Sequence, residues 1–525
     1  MRAQERTPLG TIMAPARRHA AAVWATGLVS VLAWVALSLR APVLTWAAQP
    51  LPFEAIHAQG WHFGWLTDIM LLLTLLLAAY LTFAWVVLRS PSALPATAIL
   101  GVGGLSSLSA VLTYPLFAED VYLMLAQVWT LVGAHQNPYA VAPDAVTGNP
   151  FAVFTGLGYL PYVYGPAWLP LGGVAMILLG PNPLAHLLTS KLLQLVSLWL
   201  LAGLAWSTAR ASGVRQPLGA AGLVLWNPVF LVDGIMTPHL DLPMAVALLG
   251  ALLAWRHGRV ALAILLLALS VGLKLVPMVL VPAILLGMAA SGSFRGTAGR
   301  GGVVAALVTV ALAALLWPVV WRPLLQHGLP MLLGLSSNAA FVLNVVTFLQ
   351  TVGLAPSTLD PEAIGLRARW FLYAPFWFWA TARVVRRARQ QSEDHPAHRY
   401  EMLALLLLGY HVLFTIAVGP WNFTTVLALC LLAGTRRGVV AGLLVTGSCI
   451  LFWVNAQWVW DLLWEDLVRI GWILSFSLLI GPLLAMVLLP RWLPTPAPDI
   501  AGPGQKLKRG ASGHGGGVCV GSLGD

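Results

Sequence analysis

The sequence predicts an all-α, polytopic membrane protein, and three observations carry that prediction. Apolar residues fill 59% of the 525 positions and charged residues only 9%, where a soluble domain carries about 25% charged residues. Apolar runs of about 20 residues recur along the chain, the length a helix needs to cross a bilayer. Lys and Arg cluster in the short stretches between those runs, as the positive-inside bias requires. The net charge of +11 is therefore topological and does not indicate nucleic-acid binding. In lipid the backbone must satisfy its own polar groups, so each run becomes a helix.

The chain begins with a polar lead, 1–18, carrying Arg2, Arg6, Arg17 and Arg18. The run after it is long enough to span, so no cleavable signal is expected. Apolar runs then fall at 19–39, 66–88, 96–116, 160–180, 184–208, 217–236, 240–256, 258–290, 303–321, 367–385, 401–418, 421–435, 438–455 and 468–490. They make up about 14 membrane-associated helices in a transmembrane domain at 19–493. The run 258–290 is too long for one span, and Gly272 and Pro277 predict that it breaks in two. Pro161, Pro166 and Pro170 predict a re-entrant or surface-lying 160–180; a full crossing there would put Arg210 and Arg215 outside. The Trp-rich stretch 456–469 is amphipathic and expected to lie in the interface. The Gly- and Pro-rich tail, 494–525, is expected to be a disordered cytoplasmic end. Cys430, Cys449 and Cys519 form no disulfide framework or metal cluster by spacing. The 24 tryptophans fit interfacial belts.

With Arg17 and Arg18 inside, the third span delivers the stretch 117–160 to the extracytoplasmic side. A second long outer loop is expected at 322–366. The first is the most polar part of an apolar sequence. Glu119 and Asp120 stand at its mouth, an amphipathic run follows, and then come the turn Asn137-Pro138-Tyr139 and the return Tyr162-Val163-Tyr164-Gly165-Pro166. Two readings of the carboxylate pair stay open. It is either a solvated helix end, with Asp120 as a cap, or a general base at a membrane-facing pocket. Long loops in compact proteins are usually functional, which favours the second.

Lys274 lies deep in apolar sequence. Such a lysine faces a wet cavity or an anionic partner, or snorkels from a helix end. Lys191 is similar but nearer the end of its run. His239 and Asp241 occupy a short outer turn and are too few to argue for a metal. Arg322, Arg367 and Arg369 border the second outer loop, where outer-face arginines run against the charge bias and suit a phosphate.

These residues resemble, in order, the GT-C superfamily of integral-membrane glycosyltransferases, closest to the polyprenyl-phosphate-mannose-dependent mannosyltransferase group. The likeness rests on Asp120 and Tyr122 followed by Gly133, Asn137, Pro138 and Tyr139. It continues through Tyr162, Tyr164, Gly165 and Pro166, then Trp226-Asn227-Pro228 with His239 and Asp241, and ends on Lys274 with Pro277. Two spans precede the aspartate where many members have one, and the interval from Asn-Pro-Tyr to Tyr-x-Tyr is long. These departures leave the sugar and acceptor open.

The resemblance implies a GT-C-like helical bundle in the membrane, with long extracytoplasmic loops. It implies an inverting transferase moving mannose or a related hexose from a polyprenyl-phosphate donor to a glycan or glycolipid acceptor outside a bacterial plasma membrane. Asp120 is then the base. Lys274, Arg367 and Arg369 contact the donor phosphate, and Glu119, Tyr122, Asn137, Tyr139, Tyr164, His239 and Asp241 contact substrate. No cofactor is certain; a divalent cation stays open. The alternative is a lipid-linked sugar flippase or exporter, using the same cavity and cations without a base.

Overall fold

The computed structural model describes residues 9–46, 63–90, 94–214, 216–328, 353–389, 397–414, 420–433 and 435–462, with isolated positions between 346 and 350. The expected helix at 468–490 and the tail 494–525 lie outside the described residues. Among those described, the chain is helical, without a β-strand beyond one isolated bridge between Pro42 and Thr113.

The main helices are α1 (Leu9–Arg40), α2 (Phe63–Arg89), α3 (Ala96–Leu112), α4 (Asp120–Val132), α5 (Trp168–Leu179), α6 (Pro183–Ala211), α7 (Pro217–Leu225) and α8 (Asp241–Arg256). After them come α9 (Val260–Leu273), α10 (Val281–Ala290), α11 (Gly296–Leu315), α12 (Pro361–Arg389), α13 (Ala397–Leu413), α14 (Thr424–Leu432) and α15 (Arg436–Leu462). Five described stretches are long and apolar enough to cross a membrane: Arg17–Arg40, Thr67–Arg89, Pro183–Ala211, Gly296–Leu315 and Arg437–Val454. A sixth counts if the bent pair Pro217–Leu225 and Phe230–Met236 is one span. Leucines and valines of α11 face outward, among them Val304, Leu307 and Val310. Such an apolar exterior suits lipid, and the chain is an integral membrane protein.

Helix α14 lies at the centre, its nine residues Thr424 to Leu432 all buried. It packs on α8, α13 and α15. A helix apolar on every face has no water-facing side, so it belongs in the core.

Several expectations meet their outcome here. Run 258–290 does break, into α9 and α10, with Lys274 extended at the break (φ −149°, ψ 141°) and the 3-10 turn Val276–Val279 after it. Run 160–180 yields only the 12-residue α5, roughly 18 Å of helix against a ~30 Å hydrocarbon core.

Other boundaries are corrected. Helix α1 starts at Leu9, inside the 1–18 lead. Run 217–236 bends by 56° at Trp226-Asn227-Pro228. Pro228 has no N–H to continue the ladder, and Asn227 Oδ1 accepts from Val229 N at 2.9 Å. The chain then enters a π-helical turn, Phe230–Met236. Of the stretch 456–469, residues 456–462 continue α15, since neither Gly nor Pro interrupts the chain from Ser448 to Leu462, and 463–469 lie outside the described residues. The second loop, expected at 322–366, lies in part outside the described residues; α12 starts at Pro361, ahead of the expected run 367–385, so Arg367 and Arg369 lie within the helix rather than at its start.

Candidate active site

The stretch after α3 is a folded unit held by its own polar groups. Tyr114 N donates to Ala41 O at 2.7 Å, and α4 follows. Gln127 reaches across to Leu160 O at 3.1 Å, and Asn149 to Ala126 O at 2.9 Å. At the turn, Asn137 Oδ1 accepts from Tyr139 N at 3.0 Å, a local turn that Asn favours. Its Nδ2 donates to Val319 O at 2.8 Å. Tyr162 N then donates to Pro138 O at 2.7 Å, and Tyr139 OH to Tyr164 O at 3.1 Å. The Asn-Pro-Tyr and Tyr-x-Tyr segments, distant in sequence, thus form one turn-on-return unit.

That unit docks on the broken end of α9. Ala167 N donates to Gly272 O at 2.7 Å. A Cβ on Gly165 would sit 2.2 Å from Gly272 O, a separation no side chain tolerates. The glycine is required by this close approach. It brings Tyr164 beside Lys274, whose ammonium lies 5.9 Å from the Tyr164 ring centroid.

Asp120 begins α4 and is partly exposed. Tyr164 OH donates to its Oδ1 at 3.1 Å. Burial first, and then the Asp120 charge, hold the Tyr164 phenol well above its ordinary range, so it stays a proton donor. Glu119 points elsewhere: its Oε2 accepts from Gly156 N at 2.8 Å.

On the other side, Lys274 Nζ donates to both oxygens of Asp241, at 2.9 and 2.8 Å. Asp241 starts α8 and is nearly buried, its side chain 2% exposed against 12% for Lys274. An ammonium has three donors. The third points to Asn422 Oδ1 at 3.5 Å, beyond a good hydrogen bond. His239 is buried in the turn before α8, where burial pushes its imidazole below the ordinary range while Asp120, Asp241 and Lys274 all act on it. The arrangement is a partly accessible carboxylate with a phenol donor, beside a braced cation.

Four of the expected residues therefore converge with Asp120: Tyr164, His239, Asp241 and Lys274. Others do not. Tyr122 is buried, 3.3 Å from Tyr114 OH and stacked on Phe154. The hydrogen bonds given above for Asn137, Tyr139 and Glu119 organise the loop. Arg367 is exposed on α12 and makes no contact with the cluster among the described residues. The side chain of Arg369 lies outside the described residues. Among the described residues no group of three or more His, Cys, Asp or Glu could hold a metal ion.

Sequence reasoning missed three buried or half-buried polar residues, two of them from the second half of the chain. Asn422 comes from the 3-10 turn Pro420–Phe423. His411, on α13, is 1% exposed, and neither ring nitrogen has a hydrogen-bond partner among the described residues. Asp233 is wholly buried, and Trp453 Nε1 donates to its Oδ1 at 3.0 Å. A carboxylate inside an apolar run is itself a signal, and Asp233 sits inside 217–236.

The fold is an all-helical membrane bundle whose cluster joins a partly exposed carboxylate, a tyrosine and a braced lysine. Residues 19–290 match the family described as alpha-(1->6)-mannopyranosyltransferase, N-terminal domain (MptA_B family), and the chain belongs to that family. It is a glycosyltransferase of mannosyl transfer. A comparison with curated proteins finds no match.

Proposed function

We propose that the protein is an inverting enzyme that takes mannose, or a related hexose, from a polyprenyl-phosphate donor. The acceptor is a glycan or glycolipid hydroxyl on the extracytoplasmic side of a bacterial plasma membrane. Asp120 removes the proton from that hydroxyl. The freed oxygen attacks the anomeric carbon, the bond from that carbon to the lipid-phosphate oxygen breaks, and the phosphate leaves with the electron pair. Lys274 stabilises the charge that develops there. Asp241 and Asn422 set the direction of its ammonium. Asp241 also offsets part of its charge, so Lys274 acts through placement as well as charge.

The observation that carries this reading is Tyr164. Its hydroxyl holds Asp120 at 3.1 Å while its ring lies 5.9 Å from the Lys274 ammonium. One side chain thus links the base candidate to the phosphate candidate. The bond from Tyr164 leaves Asp120 Oδ2 without a hydrogen-bond partner among the described residues, and that oxygen can take a proton.

The test is transfer by the purified protein from a panel of radiolabelled polyprenyl-phosphate sugars, with Asp120→Asn in parallel. General base catalysis contributes about 100- to 10,000-fold, so Asp120→Asn is expected to lose at least about 100-fold while still binding donor. Normal transfer by Asp120→Asn would overturn the assignment. Sidedness is checked by an impermeant thiol reagent on a cysteine placed at Ala142, which should react from outside.

A further inference from the structure

Lys191 is not used by the chemistry above, yet its surroundings are unusual. It lies on α6, inside a candidate span, and is 0% exposed. Among the described residues no carboxylate reaches it. Its ammonium donates instead to four backbone carbonyls: Thr113 O at 2.8 Å, Ile235 O at 3.1 Å, Ala110 O at 3.4 Å, and Met236 O. Ala110 and Thr113 lie at the C-terminal end of α3, and Ile235 and Met236 end the π-helical turn Phe230–Met236.

The last carbonyls of a helix lack partners within it and form the negative end of its dipole. One cation therefore satisfies two helix ends at once. The chain continuing from Thr113 leads into Asp120, and the chain continuing from Met236 leads through His239 to Asp241. An ammonium at membrane depth is costly, so a lysine kept here points to a requirement that an apolar residue would not meet.

We infer that Lys191 is a positioning residue: its ammonium joins the ends of α3 and the Phe230–Met236 turn and so sets the separation between Asp120 and the Asp241–Lys274 pair. Three N–H donors serve four acceptors, so the longest contact, to Ala110, is the shared one. Neither an apolar side chain nor Gln reproduces this, and Arg offers a flat fork in place of a tetrahedral set. The inference rests on the roles proposed for Asp120 and Lys274.

The experiment measures turnover per folded molecule, with folded protein quantified by size-exclusion chromatography after reconstitution in nanodiscs. Misplacing a catalytic group by about 1 Å can cost about 100-fold. Lys191→Met is therefore expected to lower kcat at least about tenfold while donor KM stays within about threefold. Lys191→Gln keeps two donors and should fall between Met and wild type. Lys191→Ala should regain turnover with ethylammonium and not with tetraethylammonium, which has no N–H. Wild-type kcat per folded molecule in Lys191→Met would overturn the inference and leave Lys191 as a stabiliser of the fold. A raised donor KM with unchanged kcat would overturn it too, making Lys191 a donor ligand. If Met and Ala yield no folded protein, Lys191→Gln decides by the same kcat criterion. Asp120→Asn separates the two readings. Full activity in that variant removes the base assignment, whereas an inactive Asp120→Asn beside a normal Lys191→Met removes only the present inference.

Discussion

The regions around Lys274 and Lys191 solve one problem in two ways. Each lysine interrupts apolar sequence, and each is anchored by the structure. Lys274 sits where α9 breaks, paired with Asp241 and 12% exposed on its side chain. Lys191 sits mid-helix in α6, wholly buried and surrounded by carbonyls. The difference lies in access. A helix break lets an ammonium meet a carboxylate and still face a site, whereas an unbroken helix carries its ammonium into the interior, where only backbone can answer it. The same residue type therefore suits ligand contact in one place and internal bracing in the other.

The sharpest way to break that contrast is Lys274→Met. Removing one preorganised charge-stabilising donor costs about 100- to 1,000-fold in turnover, and we expect that loss in transfer assays with the protein still folded. Lys274→Arg should retain part of the activity. Normal transfer by Lys274→Met would reduce Lys274 to a snorkelling lysine and erase the distinction.

The next effect is expected at Gly165. Its absent side chain allows the loop to touch Gly272, so Gly165→Ala must displace the loop or the end of α9. A displacement near 1 Å separates Tyr164 from Lys274, and we expect about a 10- to 100-fold fall in kcat. Unchanged kinetics would show that the docking of loop on helix does not set the site.

Asn422→Ala should act more gently. Its contact with Lys274 is long, 3.5 Å, and a typical hydrogen bond contributes about 1 kcal/mol net. We expect roughly a fivefold rise in donor KM with little change in kcat. A larger fall in kcat would mean that the second half of the chain contributes to the chemical step.

The smallest effect concerns pH. Burial lowers the His239 pKa below its unfolded value of 6.5, so the folded state favours the neutral ring. That stability is fully present above about pH 6.5. It is lost as pH falls toward the lowered folded value, because the unfolded chain takes up the proton first. His239→Gln should flatten this acid-side decline in thermal melting curves. Equal slopes for the two proteins would remove His239 as its source.

The site is partly legible in the sequence. Lys274 stands out because a charge is expensive in apolar surroundings, Asp120 because it opens the most polar stretch, and the ordered motifs tie both to Tyr164, His239 and Asp241. Tyr122 and Asn137 belong to the same motifs, and their described contacts pack and turn the loop. A polar residue in such a motif serves folding as readily as chemistry. Arg367 lies apart from the cluster among the described residues, because charge bias along a sequence does not say which helix faces adjoin.

What the sequence alone determined is the class of the molecule and its breaks. Run length and composition demand membrane helices, and Gly272 and Pro277 demand an interruption, since both properties are local. The bend at Pro228 and the question of which residues meet were decided only by tertiary structure. Asp241 and Lys274 pair across α8 and α9, Asn422 arrives from beyond the family-matched region, and Lys191 finds carbonyls from two other helices. Those contacts depend on how helices with nearly uniform apolar surfaces pack, and hydrophobic periodicity along such a chain carries almost no information about which faces adjoin.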